Sequence, residues 1–509
     1  MLRAVCLLWA VCWVRCYDIL ALFPHASISH LEAYRPLLDR LASRGHNVTV
    51  VSFFPRRGPE VATREVSLAG LVPPAVDSLS VDAVSGLGPL RDFYVISRLG
   101  LESCEAVLGS GRLASVLAES YDLVLVELFT TDCFLSAVDG LRAPFIGISS
   151  SSIFPTTGSR LGNPENPAYV PNMFLPFDDN MPFWSRVQNT VVTGLMFLSK
   201  RYYFDREADR ISKKYLGDSV RPIAEIATDT SLIFSYRHYT LNGPIPLQPT
   251  VVEVGGLHVG PAKPLPQDIE TFINGAKEGV IYFSLGSSIR AESLSEDKRK
   301  IFVEAFSRIS QRVLWKYEGQ RHPDVPDNVI ISKWFPQRDV LGYRGIRLVI
   351  THGGMLTITE AVYCGIPIIG IPFFGDQGNN MAALERTGSA IVLQYESLTS
   401  DVLLKSINRI LHEKSFKDNA LALSVAFKDR PSSPLSTAIY WCEYVARHKK
   451  TPFSKAAAAR LDWHQGWLWD VTLVLFALVA LAVIFVHEAS VRIVAHLGRR
   501  IASLKWKNE

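Results

Sequence analysis

Residues 334–380 constrain the fold most, because short apolar runs alternate there with glycine turns and a helical segment. Residues 348–351 (Leu-Val-Ile-Thr) form an apolar, β-branched run with the length of a buried strand. The turn 352–354 (His-Gly-Gly) follows, a helical segment comes next, and residues 368–371 form a second apolar run. This alternation of strand, loop and helix predicts an α/β sheet with parallel strands.

The turn at His352, Gly353 and Gly354 lies between the end of a predicted strand and the start of a predicted helix. Two glycines at that point leave backbone N–H groups bare, and the helix dipole favours an anion there. His352 can add a side-chain donor to a phosphate. Asp376 and Gln377 follow the carboxyl end of the next strand, which is where ligands bind in open α/β sheets.

The residue types around this turn suit one ligand, a nucleotide diphosphate sugar. Trp334 offers a flat face for a base, and Gln337 and Glu360 can bind the hydroxyl groups of a ribose. Asp376 and Gln377 can hold the hydroxyl groups of the sugar. The prediction depends on the order of these residues along the chain, because a single Trp or Gln is more often structural.

This ordered set resembles the signature of the UDP-glycosyltransferases, particularly that of the membrane-bound animal enzymes of insects. The resemblance implies two doubly wound, Rossmann-like α/β domains that face each other across a cleft, the architecture called GT-B. It also implies the contacts of the donor: uracil with Trp334, ribose with Gln337 and Glu360, diphosphate with His352, Gly353 and Gly354, and sugar with Asp376 and Gln377.

Two apolar segments near the chain ends predict a protein that enters the secretory pathway and stays in a membrane. Residues 1–16 combine a basic start with an apolar run too short for a span, which is typical of a signal peptide. Residues 467–486 have the length that a bilayer core requires, and their single charge, Asp470, lies near one edge. The tail 487–509 is basic and is expected in the cytosol, so we predict a type I protein with a lumenal catalytic part.

A stretch rich in proline and glycine divides the remaining chain. In the first part, residues 17–52 read as strand, helix and strand, a βαβ unit that implies parallel strands. The loop-like residues 155–182 suit the shaping of an acceptor pocket. We predict an acceptor-binding α/β domain at 17–242, a linker at 243–266, a UDP-sugar-binding α/β domain at 267–450 and a membrane stem at 451–466.

His30 is the candidate general base, because a histidine has a pKa near the working pH and follows the first predicted strand. His25, on the same loop, is the second candidate. In the resembled family, a histidine in this position is partnered by an aspartate that follows a later strand. We expect Asp132 to be that partner, with Glu127, at the strand end itself, as the alternative. Direct displacement at the anomeric carbon would invert its configuration.

The departing diphosphate can be stabilised by donors of the protein. Ser287 lies in a turn after the predicted strand 280–284, and its hydroxyl and the neighbouring amides can meet a phosphate. Together with His352 and the glycine turn, it can stabilise the leaving group without a metal. The sequence has no Asp-x-Asp motif or His/Asp cluster for Mg²⁺. We therefore expect no metal and no cofactor, with the UDP-sugar as a co-substrate.

Composition limits the compartment and the partners. The basic tail and signal region account for the formal charge of +4, so nothing indicates a nucleic acid partner. Four of the seven cysteines lie beyond the signal region, and their scattered positions indicate neither a metal site nor a disulfide framework. One disulfide between two of them stays open. Lys505 and Lys507 resemble the dilysine retrieval signal of the endoplasmic reticulum. Whether Asn47 is glycosylated stays open, because it begins a predicted core strand.

The sequence thus predicts an endoplasmic reticulum membrane enzyme that moves a hexose from a UDP-sugar to a hydroxyl of a small lipophilic acceptor. Glucose is the preferred sugar for the insect resemblance and glucuronic acid for the vertebrate one. The alternative is a catalytically silent member that binds a nucleotide sugar or a lipophile as a partner subunit. The acceptor's identity stays open, as does a homo- or hetero-oligomeric state.

Overall fold

The computed structural model describes residues 16–86, 88–320, 322–449 and 456–505. The chain divides into two compact units, up to residue 455 and from residue 456 onwards. The predicted signal peptide, apart from Cys16, lies outside the described residues, as does the predicted retrieval signal beyond Lys505.

The first part of the chain forms a parallel sheet with both faces covered. Its strands and a short additional strand are β1 (Asp18–Phe23), β2 (Asn47–Ser52), β3 (Arg64–Ser67), β4 (Leu79–Ser80), β5 (Leu123–Glu127), β6 (Phe145–Ser149), β7 (Leu232–Ser235) and β8 (Val251–Glu253). Within the described residues the strand order is β3-β2-β1-β5-β6-β7-β8, and β4 lies outside this sheet. Along β1, Ile19 and Ala21 belong to one apolar cluster and Leu20 and Leu22 to another. Such burial on both faces is typical of a parallel sheet between two layers of helices.

The helices of this half lie between its strands along the chain. They are α1 (Ile28–Glu32), α2 (Arg35–Ser43), α3 (Val81–Val84), α4 (Pro89–Gly109), α5 (Ala114–Leu117), α6 (Phe134–Gly140), α7 (Phe183–Ser199), α8 (Asp205–Leu216), α9 (Ile223–Ala227) and α10 (Tyr239–Asn242). The four strands expected from the sequence in this half are present. Strand β8, which lies inside the predicted linker 243–266, was not expected, because three residues bounded by proline and glycine carry no clear hydrophobic period.

The second sheet is also parallel and contains every strand expected in this half, with small shifts at the ends. Its strands and another short strand are β9 (Val280–Ser284), β10 (Ile289–Arg290), β11 (Arg312–Lys316), β12 (Val329–Ser332), β13 (Ile346–Thr351), β14 (Ile368–Gly370) and β15 (Ala390–Val392). Their order in the described chain is β12-β11-β9-β13-β14-β15, with β10 outside the sheet. The accompanying helices are α11 (Gln267–Asn274), α12 (Glu296–Ser307), α13 (Gln337–Leu341), α14 (Met355–Cys364), α15 (Gln377–Arg386), α16 (Ser400–His412), α17 (Lys414–Lys428) and α18 (Pro434–His448).

Each sheet reverses its strand order at one pair of neighbouring strands. In the first sheet the reversal lies between β1 and β5, and in the second between β9 and β13. At such a point the connections leave in opposite directions and open a crevice at the carboxyl ends of the strands, where ligands bind. A ligand site is therefore expected among the residues that follow β1, β5, β9 and β13.

Pairs of elements from the two halves also pack together. Helix α18, predicted in the second domain (267–450), packs on α2 of the first sheet. There Glu443 accepts hydrogen bonds from Arg44 Nε (2.8 Å) and His46 Nε2 (3.3 Å). Strands β4 and β10 pair in parallel, with Leu79 beside Ile289. An element of each predicted domain therefore packs on the other domain. The sequence does not predict these contacts, because the partners are distant along the chain and leave no local signal.

A disulfide joins Cys104 of α4 to Cys133 at the start of α6. It is the single bridge that the sequence left open. Both cysteines are buried within the cluster that covers one face of the first sheet. The bridge therefore fixes α4 against the loop that follows β5.

Removing this bridge is expected to lower the free energy of unfolding by about 2–4 kcal/mol, because the unfolded chain gains freedom when the loop is opened. The Cys104→Ser/Cys133→Ser double variant should unfold at a lower urea concentration than the native chain. The Cys364→Ser variant, which removes a free cysteine, serves as the matched control. An unchanged midpoint in the double variant, or an equal shift in the control, would contradict this prediction.

The second unit contains α19 (Trp463–Gly466) and α20 (Trp469–Lys505). Among the described residues, Trp469–Ile501 is the segment long and apolar enough to cross a membrane. The sequence placed the span at 467–486 and a cytosolic tail at 487–509. The helix continues through most of that tail, so the apolar part and the basic part belong to the same helix.

Candidate active site

His30 and Glu127 meet where the first sheet reverses its strand order. Glu127 is the last residue of β5, and His30 lies in α1, directly after β1. The His30 Nδ1 atom lies 2.5 Å from Glu127 Oε1, and the carboxylate is fully buried. The other oxygen, Oε2, accepts a hydrogen bond from the backbone N–H of His25 at 3.3 Å. A carboxylate bound at Nδ1 fixes the tautomer and makes Nε2 the nitrogen that can take a proton.

Two rings hold the imidazole of His30 in place. The ring of His25 stacks on it with centroids 4.6 Å apart and an interplanar angle of 13°. The ring of Phe129 lies nearly perpendicular to both imidazoles, with its centroid 4.9 Å from that of His25 and 4.6 Å from that of His30. Burial lowers the pKa of His25 well below its usual value, and the charge of His30 lowers it further. His25, the second candidate base, is therefore a neutral packing partner of His30.

Asp132 does not pair with His30, contrary to our expectation from the sequence. Its Oδ1 atom accepts a hydrogen bond from Arg160 (2.7 Å), and its Oδ2 atom from Lys200 (2.6 Å). Burial alone would raise the pKa of Asp132, but the two cations outweigh it and hold the pKa well below its usual range. The chain turns at Thr130, a non-glycine residue with φ of +61°, and brings Asp132 to these cations. Glu127, the alternative, is the carboxylate at His30.

The residues predicted for the nucleoside form a connected group at the second sheet. Trp334 is 63% exposed, so its ring is available for stacking. Gln337 Nε2 donates to Glu360 Oε2 at 2.7 Å, and His258 Nε2 lies 3.0 Å from Glu360 Oε1. Tyr236 in turn hydrogen-bonds Nδ1 of His258. The sequence analysis missed His258, which lies in the predicted linker, and no local pattern marked it.

The diphosphate turn is built around the ring of His352. A Cβ atom on Gly286 would lie 2.4 Å from its Cε1 atom, and one on Gly354 would lie 2.3 Å from its Nε2 atom. Burial lowers the pKa of His352 to about 4, with a further contribution from Lys316. The imidazole is therefore neutral at pH 7 and acts as a hydrogen-bonding group. Lys316, at the end of β11, is a cation near the turn that the sequence analysis missed.

Ser287 follows β9 in the same region, and the first half of the chain holds its backbone. The carbonyl oxygen of Ser287 accepts a hydrogen bond from the N–H of Asp77 at 2.8 Å. The carboxylate of Asp77 also pairs with Lys316 Nζ at 2.8 Å. The residues around β4 thus fix the turn after β9 in position beside the ring of His352.

The two residues predicted for the sugar lie at the start of α15. Asp376 Oδ2 accepts from Asn380 Nδ2 at 3.0 Å, and the same nitrogen lies 3.1 Å from the carbonyl oxygen of Gly353. Gln377 Oε1 accepts from the backbone N–H of Phe373 at 2.8 Å, so its amide nitrogen is the group that can donate to a sugar. Asn380 therefore couples the diphosphate turn to the sugar residues.

The sugar residues also adjoin the first half of the chain. Burial raises the pKa of Asp376, whereas Asn380 and the charge of His30 lower it, so the charge of His30 acts on the predicted sugar site. Asp92 of α4 accepts a hydrogen bond from the N–H of Gly375 at 3.0 Å. Burial raises the pKa of Asp92 to about 6, against the effect of that hydrogen bond. The sequence analysis missed Asp92, because α4 carries no sharp motif.

Comparison with known proteins identifies the family of the chain. The family described as "UDP-glucoronosyl and UDP-glucosyl transferase" matches residues 88–501. The chain belongs to this family. It is 38% identical to UDP-glycosyltransferase UGT5 of Dactylopius coccus, covering 93% of this chain and 92% of the relative. It is 32% identical to human UDP-glucuronosyltransferase 2A3, covering 90% and 89%. The protein is a UDP-glycosyltransferase, as the signature in residues 334–380 predicts.

Solved structures support the fold of this UDP-glycosyltransferase. Glycosyltransferase VinC, solved in complex with DTDP, matches with a TM-score of 0.57 and 18% identity, covering 85% of this chain and all of that chain. The glycotransferase of kitacinnamycin matches with a TM-score of 0.56 and 17% identity, covering 86% and 100%. The two parallel sheets thus form the expected GT-B architecture.

Replacing Gly353 by alanine is expected to raise the KM for the UDP-sugar at least about tenfold, because two effects displace the diphosphate turn. Gly353 has φ of +89°, and a Cβ atom would lie 2.6 Å from Cγ of Met381. Steady-state kinetics at varied donor concentration measures the change. Gly45→Ala is the matched control, since Gly45 has φ of +92° but nothing within 4 Å of the added atom. An unchanged KM in Gly353→Ala would show that this turn does not bind the UDP-sugar.

Proposed function

We propose that this UDP-glycosyltransferase transfers glucose from UDP-glucose to a hydroxyl group of a small lipophilic acceptor, with inversion and with His30 as general base. The observation that carries the proposal is the pair formed by His30 and the buried Glu127, whose histidine acts electrostatically on Asp376 of the predicted sugar site. A base oriented by a carboxylate, beside a sugar-binding carboxylate, suits proton removal from a hydroxyl that attacks the sugar.

The reaction follows from the positions of these groups. The acceptor hydroxyl gives its proton to Nε2 of His30 while its oxygen bonds to the anomeric carbon. Glu127 stabilises the imidazolium that forms. The bond between the anomeric carbon and the phosphate oxygen breaks on the opposite face, which inverts the configuration. The amides of Gly353 and Gly354 and the ring of His352 stabilise the UDP that leaves.

The donor assignment to glucose rests on charge and on the relatives. Asp376 places a carboxylate where the resemblance locates the sugar, and a glucuronate there would bring a second negative charge. A further relative of Dactylopius coccus, named UDP-glucosyltransferase 2, is 38% identical over 458 residues. UDP-glucuronate is the alternative donor, which the human relative's name favours.

We place the enzyme in the endoplasmic reticulum membrane, with the catalytic unit in the lumen. The disulfide between Cys104 and Cys133 suits an oxidising compartment. Helix α20 is long and apolar enough to span a bilayer, and its basic end suits the cytosolic side. The terminal lysines, with their resemblance to a retrieval signal, support the endoplasmic reticulum over later compartments.

The test uses membranes that contain the full chain, incubated with UDP-glucose or UDP-glucuronate and a panel of phenols and steroid alcohols. Release of UDP is measured with and without acceptor, and membranes without the chain give the background. We expect acceptor-dependent release that is faster with UDP-glucose. Faster release with UDP-glucuronate would reverse the donor assignment, and donor binding without turnover across the panel would contradict the acceptor class.

A further inference from the structure

Tyr236 and His258 form a chain of hydrogen bonds that ends on Glu360, a residue predicted to bind the ribose of the donor. Tyr236 follows β7 in the first half of the chain, His258 follows β8, and Glu360 lies in α14. The reaction described above uses neither Tyr236 nor His258. The side chains of His258 and Glu360 are 10% and 8% exposed, so water competes little with the contact between them.

The hydroxyl group of Tyr236 determines which nitrogen of His258 carries a hydrogen. Burial raises the pKa of Tyr236, and the backbone N–H groups of Gly256 and His258 act on this pKa in the opposite direction. Because those two backbone groups are donors, the proton of the hydroxyl is donated to Nδ1 of His258, with which it forms a hydrogen bond. The ring therefore carries its hydrogen on Nε2, the nitrogen that faces Glu360.

Glu360 receives one donor on each oxygen of its carboxylate. His258 Nε2 lies 3.0 Å from Oε1, and Gln337 Nε2 donates to Oε2 at 2.7 Å. The two donors together fix the plane of the carboxylate. An ionised carboxylate oxygen accepts more than one hydrogen bond, so each oxygen can still accept from one hydroxyl group. The two neighbouring hydroxyl groups of a ribose match this arrangement.

The backbone that precedes His258 is fixed in its position. The N–H of Gly255 donates to the carbonyl oxygen of Arg237 at 3.1 Å, and a Cβ atom on Gly255 would lie 2.6 Å from that oxygen. The carbonyl oxygen of Gly255 accepts a hydrogen bond from Arg430 at 2.9 Å. The imidazole of His258 therefore extends from a well-held turn, as a group that orients another side chain requires.

We propose that His258 is a positioning residue, oriented by Tyr236, that holds the carboxylate of Glu360 ready for the two hydroxyl groups of the ribose. A carboxylate that is held before the donor binds loses little freedom on binding, and it lacks partners when those hydroxyl groups are absent. His258 thus increases the preference of the enzyme for a ribonucleotide. The inference rests on the proposed function only in that Glu360 meets the ribose of a UDP-sugar, and it is independent of the sugar and the acceptor.

The first test measures binding of UDP and of 2′,3′-dideoxy-UDP to the full chain in detergent by titration calorimetry. The quantity compared is the ratio of the two Kd values, because unfolded protein affects both measurements alike. In the native chain we expect 2′,3′-dideoxy-UDP to bind at least about tenfold more weakly, since hydrogen bonds to a charged group are lost. His258→Asn and Tyr236→Phe should each lower this ratio at least about threefold.

The His258→Gln variant provides the conservative comparison. The amide group of Gln can donate from the place of Nε2, whereas the amide group of Asn reaches only the place of Nδ1. We therefore expect His258→Gln to keep the native ratio. His412→Gln, at an exposed histidine of α16, is the matched control and should behave like the native chain.

Three results of this titration would overturn the proposal. An unchanged ratio in His258→Asn, with both nucleotides bound more weakly, would make His258 a packing residue. Equal ratios in His258→Asn and His258→Gln would exclude a donor at the place of Nε2. A native ratio near one would show that Glu360 does not hold the ribose, and it would leave the transfer of glucose to an acceptor unaffected.

Steady-state kinetics give a second measurement. His258→Asn should raise the KM for UDP-glucose about threefold or more and leave kcat within about twofold, because the ribose is bound equally before and during the reaction. Tyr236→Phe should act in the same direction, with no further effect when His258 is already Asn, since Tyr236 acts through His258. Additive effects of the two substitutions would overturn the role of Tyr236, and a fall in kcat at native KM would overturn that of His258.

Discussion

Replacing His30 by alanine is expected to lower kcat by about 10²–10⁴-fold, with little change in the KM for the UDP-sugar. The reason is that His30 takes the proton of the acceptor, whereas the donor is held by residues of the second sheet. The measurement is steady-state UDP release, with each substrate varied in turn. His412→Ala, at an exposed histidine of α16, is the matched control and should retain native kinetics.

The acidity of the acceptor tests whether His30 acts as a base. An acidic phenol such as a nitrophenol needs less help with proton removal than an aliphatic steroid alcohol does. The loss of kcat in His30→Ala should therefore be smaller for the nitrophenol. An equal loss for both acceptors would indicate that His30 only maintains the shape of the site, and the base would have to be sought elsewhere.

The second large effect is a loss of kcat that we expect on substitution of Glu127 but not of Asp132. Glu127→Gln is expected to lower kcat by about 10²-fold or more, because the imidazolium loses its carboxylate and the tautomer is no longer fixed. Asp132→Asn should leave kcat of the folded enzyme near the native value. It should instead lower the free energy of unfolding by about 3–5 kcal/mol, because Arg160 would remain buried without its carboxylate and Lys200 would keep only its second partner, Asp205.

The two variants thus serve as controls for each other. Each is purified in detergent, and its kcat and its urea midpoint are measured on the same preparation. Loss of kcat at native stability in Asp132→Asn would restore Asp132 as the partner of His30. Loss of stability without loss of kcat in Glu127→Gln would make Glu127 a structural residue.

The sequence predicts those parts of the fold and site whose signal is local. Apolar, β-branched runs such as residues 348–351 identify strands, and the residues after them identify the edge where the site forms. Gln337 and Glu360 were both assigned to a ribose from the ordered motif, and the structure joins them by a hydrogen bond across 23 residues. Glycine turns such as 353–354 carry their own conformational signature.

Contacts between distant segments could not be predicted in the same way. The choice between Glu127 and Asp132 depends on a turn at Thr130 and on two cations, Arg160 and Lys200, far along the chain. His258 reaches Glu360 across 102 residues from what the sequence predicts to be a linker. Such contacts depend on how whole helices and strands pack, and the pattern of residues along the sequence does not predict them.

Helix α18 has a consequence for how the chain matures. Ile439 and Cys442 of this helix belong to the same apolar cluster as Leu38 and Leu41 of α2. The amino-terminal sheet therefore stays uncovered on that side until the ribosome has delivered residue 448. Nascent chains stalled before that point should recruit lumenal chaperones, and an excised amino-terminal half should be insoluble unless residues 434–448 are supplied as a separate peptide.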